Sequence, residues 1–187
     1  MHTEGHILTQ YCSGRILVET GTCYGRTVEF ALAHGAKSVR SVEGYRERYE
    51  SCVEKFTGDS RVSLWCGHSK DKLSEMIKDL SEPVLFFLDA HPSGPNSYGH
   101  DELEENLGYV YGQDAVLVAE LNIIANHHIN DHIIIVDDQH SHDGGIKAQQ
   151  KYKDILLSAN PNYSFRFEKK AGHLTAGCLI AEIIKEQ

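Results

Sequence analysis

Residues 15–26 read Arg15-Ile16-Leu17-Val18-Glu19-Thr20-Gly21-Thr22-Cys23-Tyr24-Gly25-Arg26. A short aliphatic run ends in a carboxylate, a turn with two glycines follows, and a helical pattern begins. The run predicts a strand over Arg15–Glu19, and the pattern predicts a helix from Arg26 to His34 that Gly35 stops. A strand passing through a glycine-bearing turn into a helix opens a β-α unit, and such units stack into a mostly parallel sheet covered by helices. The two glycines belong where the backbone turns tightly and where a ligand must come close to it. The turn is not a P-loop, because no Gly-Lys-Ser/Thr follows. Nor is it G-x-G-x-x-G, because position 23 is Cys.

The same alternation continues outward. Ser38–Glu43 predicts a second strand, and Gly44 leads into a helix whose apolar positions Tyr45, Tyr49, Val53 and Phe56 recur every three or four residues. A third strand, Val62–Cys66, precedes Gly67-His68-Ser69, which opens a helix with Leu73, Met76, Ile77 and Leu80 on one face; Ser69 is the expected N-cap. Val84–Asp89 and His132–Asp137 are apolar on both faces, as central strands covered by helices on either side require. Helices are expected over Ala115–His128 and Ile146–Ala159. Tyr163–Phe167 and Ala176–Glu182 read as a terminal hairpin. Pro92–Asp114 is too long for an ordinary connection and carries Asp101, Glu102, Glu104 and Glu105, so a lid or substrate loop is expected there, with a plain solvated loop as the alternative. These elements predict one α/β domain over residues 1–187, with residues 1–14 as an N-terminal extension: a Rossmann-like, doubly wound, seven-stranded and mostly parallel sheet ending in an antiparallel hairpin.

Composition narrows the partners. The 187 residues carry 18 Lys and Arg against 27 Asp and Glu, a formal charge of −9, and no basic stripe offsets it. Phosphate backbones are repelled by such a surface, so nucleic acid is a disfavoured partner. Apolar stretches are too short to span a bilayer. Met1–His6 lacks the basic opening and apolar run of a signal peptide. Five cysteines without a C-x-x-C pair fit a reducing cytoplasm, most of them as small buried hydrophobes. A homo-oligomer remains open. Of the 12 histidines, His127, His128 and His132 lie near a helix end and read as surface residues.

In an open parallel sheet, ligands bind beyond the carboxyl ends of the strands. Those positions are polar here: Glu19, Glu43, His68, Asp89, His91, Asp137, Asp138 and His140. A carboxylate directly after buried aliphatics is costly without a partner, which favours a site; capping of the next helix is the bland explanation. Glu43, at the end of the second strand, is placed to accept both hydroxyls of a ribose.

With these residues the sequence resembles the class I S-adenosylmethionine-dependent methyltransferases over about residues 15–185. Glu19-Thr20-Gly21-Thr22-Cys23-Tyr24-Gly25 looks like the family's acidic glycine-rich motif, Glu43 like its ribose acid, and Gly67-His68-Ser69 like the segment beside the adenine. Cys23 and His68 depart from the usual Gly and Asp. The resemblance implies a cofactor site of Glu19, Thr20, Gly21, Thr22, Gly25, Glu43, Gly67, His68, Ser69 and Asp89.

A narrower resemblance is to metal-dependent O-methyltransferases, which carry an acid ending strand four and an acidic pair ending strand five. It implies that Asp89, Asp137 and Asp138 hold Mg²⁺ or Mn²⁺ through oxygen ligands, and that His91 is the base that takes the acceptor's proton. The expected reaction is O-methylation of a small-molecule or sugar hydroxyl. Two competing expectations stand beside it. His140-Ser141-His142-Asp143 resembles the zinc motif of metallo-β-lactamase-type hydrolases, with Asp143 one residue out of place. The remaining alternative is a noncatalytic adenosine-ligand binding module.

Overall fold

The computed structural model describes residues 5–90 and 108–184. In chain order these form α1 (Gly5–Thr9), β1 (Ile16–Thr20), α2 (Arg26–Ala33), β2 (Ser38–Glu43), α3 (Arg46–Lys55), β3 (Val62–Cys66), α4 (Ser69–Ile77), β4 (Leu85–Leu88), α5 (Gly108–Ala125), β5 (Ile133–His140), α6 (Asp143–Ala159), β6 (Tyr163–Lys169) and β7 (Ala176–Ile183). The seven strands make one sheet in the order β3-β2-β1-β4-β5-β7-β6. Neighbours from β3 through β5 are parallel, and β7 runs antiparallel between β5 and β6. This is the Rossmann-like sheet with a C-terminal hairpin that the sequence predicts. Chain order reverses between β1 and β4, and in open α/β sheets the carboxyl ends of the strands at such a reversal are where ligands bind.

The sheet is buried on both sides because its central strands alternate between two cores. Phe86 and Leu88 of β4 join Val18, Leu121, Val136 and Tyr152 on one face, while Leu85 and Phe87 join Leu17, Val28, Ile135 and Ile180 on the other. All four β4 residues are buried, which explains why that strand reads as a continuous apolar run. Within the predicted N-terminal extension, Ile7 and Leu8 of α1 are completely buried in the second core. Tyr11, just beyond α1, donates its hydroxyl to Glu182 Oε1 at 3.0 Å and accepts from Arg166 Nη2 at 2.5 Å, which fastens the segment to the terminal hairpin.

The bounds of α5 and β5 differ most from expectation. Helix α5 starts at Gly108 and ends at Ala125, not over Ala115–His128. Its first residues include two glycines, whose low helix propensity hides the start of the helix in the sequence. Of the predicted lid at 92–114, residues 92–107 lie outside the described residues. Strand β5 continues past the acidic pair to His140, because a bulge between Val136 and Gln139 absorbs the irregularity before pairing resumes at Gln139↔Gly177. No helix among the described residues is long and apolar enough to cross a membrane.

His132 is a further correction: it is fully buried, not on the surface. The Val84 amide donates to its Nδ1 at 3.1 Å, which leaves the proton on Nε2, directed at His127 Nδ1 3.3 Å away; His127 Nε2 in turn lies 3.0 Å from the Ile77 carbonyl. Burial, followed by the neighbouring His127, pushes the His132 pKa down from 6.5 to about 4. The folded protein therefore holds this imidazole neutral, whereas the unfolded chain takes up a proton below pH 6.5. Its stability contribution is complete above that pH and is lost as the pH falls towards 4, by about 3 kcal/mol at ~1.4 kcal/mol per pKa unit. Urea melts across this range should show that decline in wild type, and His132→Gln should flatten it.

Candidate active site

The loop leaving β1 is held from both sides. Gly21 and Thr22 donate their amides to the Val42 carbonyl at 3.0 and 3.1 Å, and the Asp89 amide donates to the Thr20 carbonyl at 3.1 Å. Gly21 has φ +90°, and a Cβ there would lie 2.6 Å from the Asp89 carbonyl oxygen. Only glycine permits the turn and the close approach together. Cys23, with φ 52°, adopts a left-handed conformation that ordinarily favours glycine.

Around this loop the predicted cofactor residues converge. Thr22 Oγ1 lies 2.6 Å from Ser41 Oγ, which donates to Glu19 Oε2 at 2.6 Å. Glu43 accepts the Cys23 amide at 2.7 Å on one oxygen and the Tyr45 amide at 2.9 Å on the other, while its own carbonyl accepts the Gly67 amide at 2.9 Å. Glu19, Thr20, Gly21, Thr22, Glu43, Gly67 and Asp89 therefore form one bonded unit along β1, β2 and β4, and Gly25 closes the turn against the Phe56 ring. His68 occupies the N-cap position of α4, where no side chain caps the helix. Ser69, the expected cap, is instead the first residue of the helix and is buried.

One residue of this site is missing from the sequence reading. Glu120, in the middle of α5, is 1% exposed, and together with Asp89 and Asp137 it lines a cavity of about 10 Å³, room for roughly one water. Among the described residues neither its Oε1 nor the Ser69 hydroxyl has a hydrogen-bond partner at ordinary distance, although Ser69 and Thr20 lie near enough to temper the effect of burial. Burial raises the Glu120 pKa to about 7, and that of Glu19 to about 8 against the hydrogen bonds of Ser41 and Thr27; the nearby Asp89 pushes both further up. A roomier groove of about 370 Å³, lined by Ser74, Asn122 and His127 among others, contains none of the predicted site residues.

The expected metal ligands are arranged differently. Lys170, between β6 and β7, places Nζ 3.0 Å from Asp137 and 2.6 Å from Asp138 Oδ1, and Cys178 Sγ donates to Asp137 Oδ1 at 3.1 Å. Among the described residues no three His, Cys, Asp or Glu side chains converge to hold a metal ion. An acid pair already bonded to an ammonium does not fit the oxygen donor set that Mg²⁺ or Mn²⁺ demands. His91, the expected base, lies outside the described residues. The zinc-hydrolase expectation also fails on geometry: His142 caps α6 by accepting the Gly145 amide on Nδ1 at 3.3 Å, and its ring stacks on exposed His140 with centroids 5.3 Å apart. A mostly parallel sheet is moreover not the architecture of those hydrolases.

No protein-family model matches the sequence, and no curated protein matches it. Solved structures match over nearly the whole chain. The O-methyltransferase from Bacillus cereus in complex with SAH has a TM-score of 0.62 at 18% identity, covering 98% of this chain and 82% of that one. A SAH-bound Podospora anserina methyltransferase gives 0.62 at 13% identity, covering 97% and 78%. An rRNA methylase from Streptococcus thermophilus gives 0.58 at 12% identity, covering 98% and 96%. The chain thus has the class I methyltransferase fold.

Two outcomes follow. Gly21→Ala should cost about 2 kcal/mol or more in a thermal or urea melt, because it adds both backbone strain and a clash. Because the folded pKa of Glu120 is raised above 4.5, the stability it contributes at low pH is lost as the pH rises through about 7. Glu120→Gln should therefore gain stability relative to wild type as the pH rises, with little difference near 4.5.

Proposed function

We propose that the protein is an S-adenosylmethionine-dependent methyltransferase that methylates a hydroxyl of a small molecule or sugar. The observation carrying this is the bonded unit of the β1 loop, Glu43 and Asp89 at the point where chain order reverses. Support also comes from the cofactor-bound neighbours of the same fold, one of them an O-methyltransferase. The acidic surface favours a small acceptor over nucleic acid.

When bound, S-adenosylmethionine supplies an electrophilic methyl group. Glu43 would hold the ribose: each of its oxygens accepts one amide, and a carboxylate has about four acceptor positions in all, so capacity remains for the two hydroxyls. The β1 loop would present backbone to the cofactor's amino-acid end, and Gly67, His68 and Ser69 would border the adenine. The carboxylates of Glu43 and Asp89 favour a cationic sulfonium over the neutral thioether left after transfer. His91, two residues beyond Asp89, would take the acceptor hydroxyl's proton as its oxygen attacks the methyl carbon and the C–S bond breaks towards sulfur. No step is assigned to a divalent ion.

Calorimetry with S-adenosylhomocysteine should detect binding to wild type, and Glu43→Ala should weaken it at least about tenfold. Unchanged affinity would remove the ribose role, and no binding by wild type would refute the proposal. His91→Ala should slow transfer at neutral pH and partly recover at higher pH, where hydroxide replaces the base. Binding without turnover over a panel of alcohols, catechols and sugars would point to a noncatalytic module.

A further inference from the structure

We propose that Lys170 is the resident cation of the acceptor end, occupying with its ammonium the position that the resemblance to metal-dependent enzymes gives to a divalent ion, so that the site works without one. The inference rests on the methyltransferase reading for its role, but its geometry stands apart from it. Lys170 and Asp137 are 9% and 5% exposed, so the pair is withdrawn from water, where removal of one partner leaves a costly uncompensated charge. The lysine backbone is fixed in the β6–β7 turn: its amide donates to the Ala176 carbonyl at 3.0 Å, and its carbonyl accepts the His173 amide at 3.1 Å.

The two aspartates are shaped to receive the ammonium. They occupy the β5 bulge, and Asp138 has φ 52°, a left-handed conformation costing about 1–2 kcal/mol for a residue with a side chain. The bulge brings successive carboxylates towards one Nζ, where alternation along a regular strand would point them to opposite faces. Cys178 adds a further contact to Asp137 from β7. A divalent ion drawing oxygens from both aspartates would stand against the ammonium, and like charges at that range repel. Lys170 is thus a positioning residue that orients Asp137 and Asp138 beside the crevice.

Mn²⁺ binding, followed by electron paramagnetic resonance without any methyl donor, tests this. Wild type and Lys170→Arg should show no site dependent on Asp138. Lys170→Ala should bind Mn²⁺ at least about tenfold more tightly than wild type, and adding Asp138→Asn should abolish the gain. A wild-type site that Asp138→Asn removes would overturn the proposal, as would a folded Lys170→Ala variant with no gain. Should that variant not fold, wild type against Asp138→Asn still decides: equal, negligible binding supports the proposal, and an Asp138-dependent site sinks it. Failure to bind S-adenosylhomocysteine would count against the methyltransferase assignment alone.

Discussion

Where β1 gives way to its loop, the backbone of Gly21 presses so closely on the carbonyl of Asp89 that no side chain fits between them. That approach joins the ends of β1 and β4, the two strands between which chain order reverses. It also fixes the direction of the loop, which is tied to β2 through the Val42 carbonyl and to Glu43 through the Cys23 amide. The crevice owes its shape to backbone contacts, so its side chains are free to carry charge.

Those side chains are mostly acids, and the protein balances them by two different means. Near the β1 loop, Glu19 and Glu120 are buried with no cation among the described residues set against either, and their raised pKa values mean that protonation relieves them near neutrality. At the end of β5, Asp137 and Asp138 are instead held by Lys170. One end of the crevice can therefore gain negative charge when a cation arrives, while the other keeps a fixed ion pair.

Most of the fold was legible in the sequence, because the doubly buried strands read as continuous apolar runs and the glycine turn marks the first β-α unit. The residues expected at the cofactor site were marked by the same signal, since they lie at or just beyond the ends of recognisable strands. What the sequence concealed depends on contacts between distant segments. Lys170 lies in a hairpin loop and meets Asp137 33 residues away, a pairing with no local signal. Glu120 sits inside an apolar helix, where nothing in the local sequence marks it as part of a site. His132 is buried because its Nδ1 satisfies an amide preceding β4, which proximity to a helix end does not reveal. The bulge at Asp138 hid the continuation of β5 behind two residues that disfavour strands.

A crystal structure with S-adenosylhomocysteine bound tests the central claim most directly. The account predicts both ribose hydroxyls on the Glu43 carboxylate and the thioether at the crevice between the ends of β1 and β4, with Lys170 still bonded to the aspartates. Density for the nucleoside elsewhere on the molecule, or a crevice that stays closed to it at saturating concentration, would contradict it.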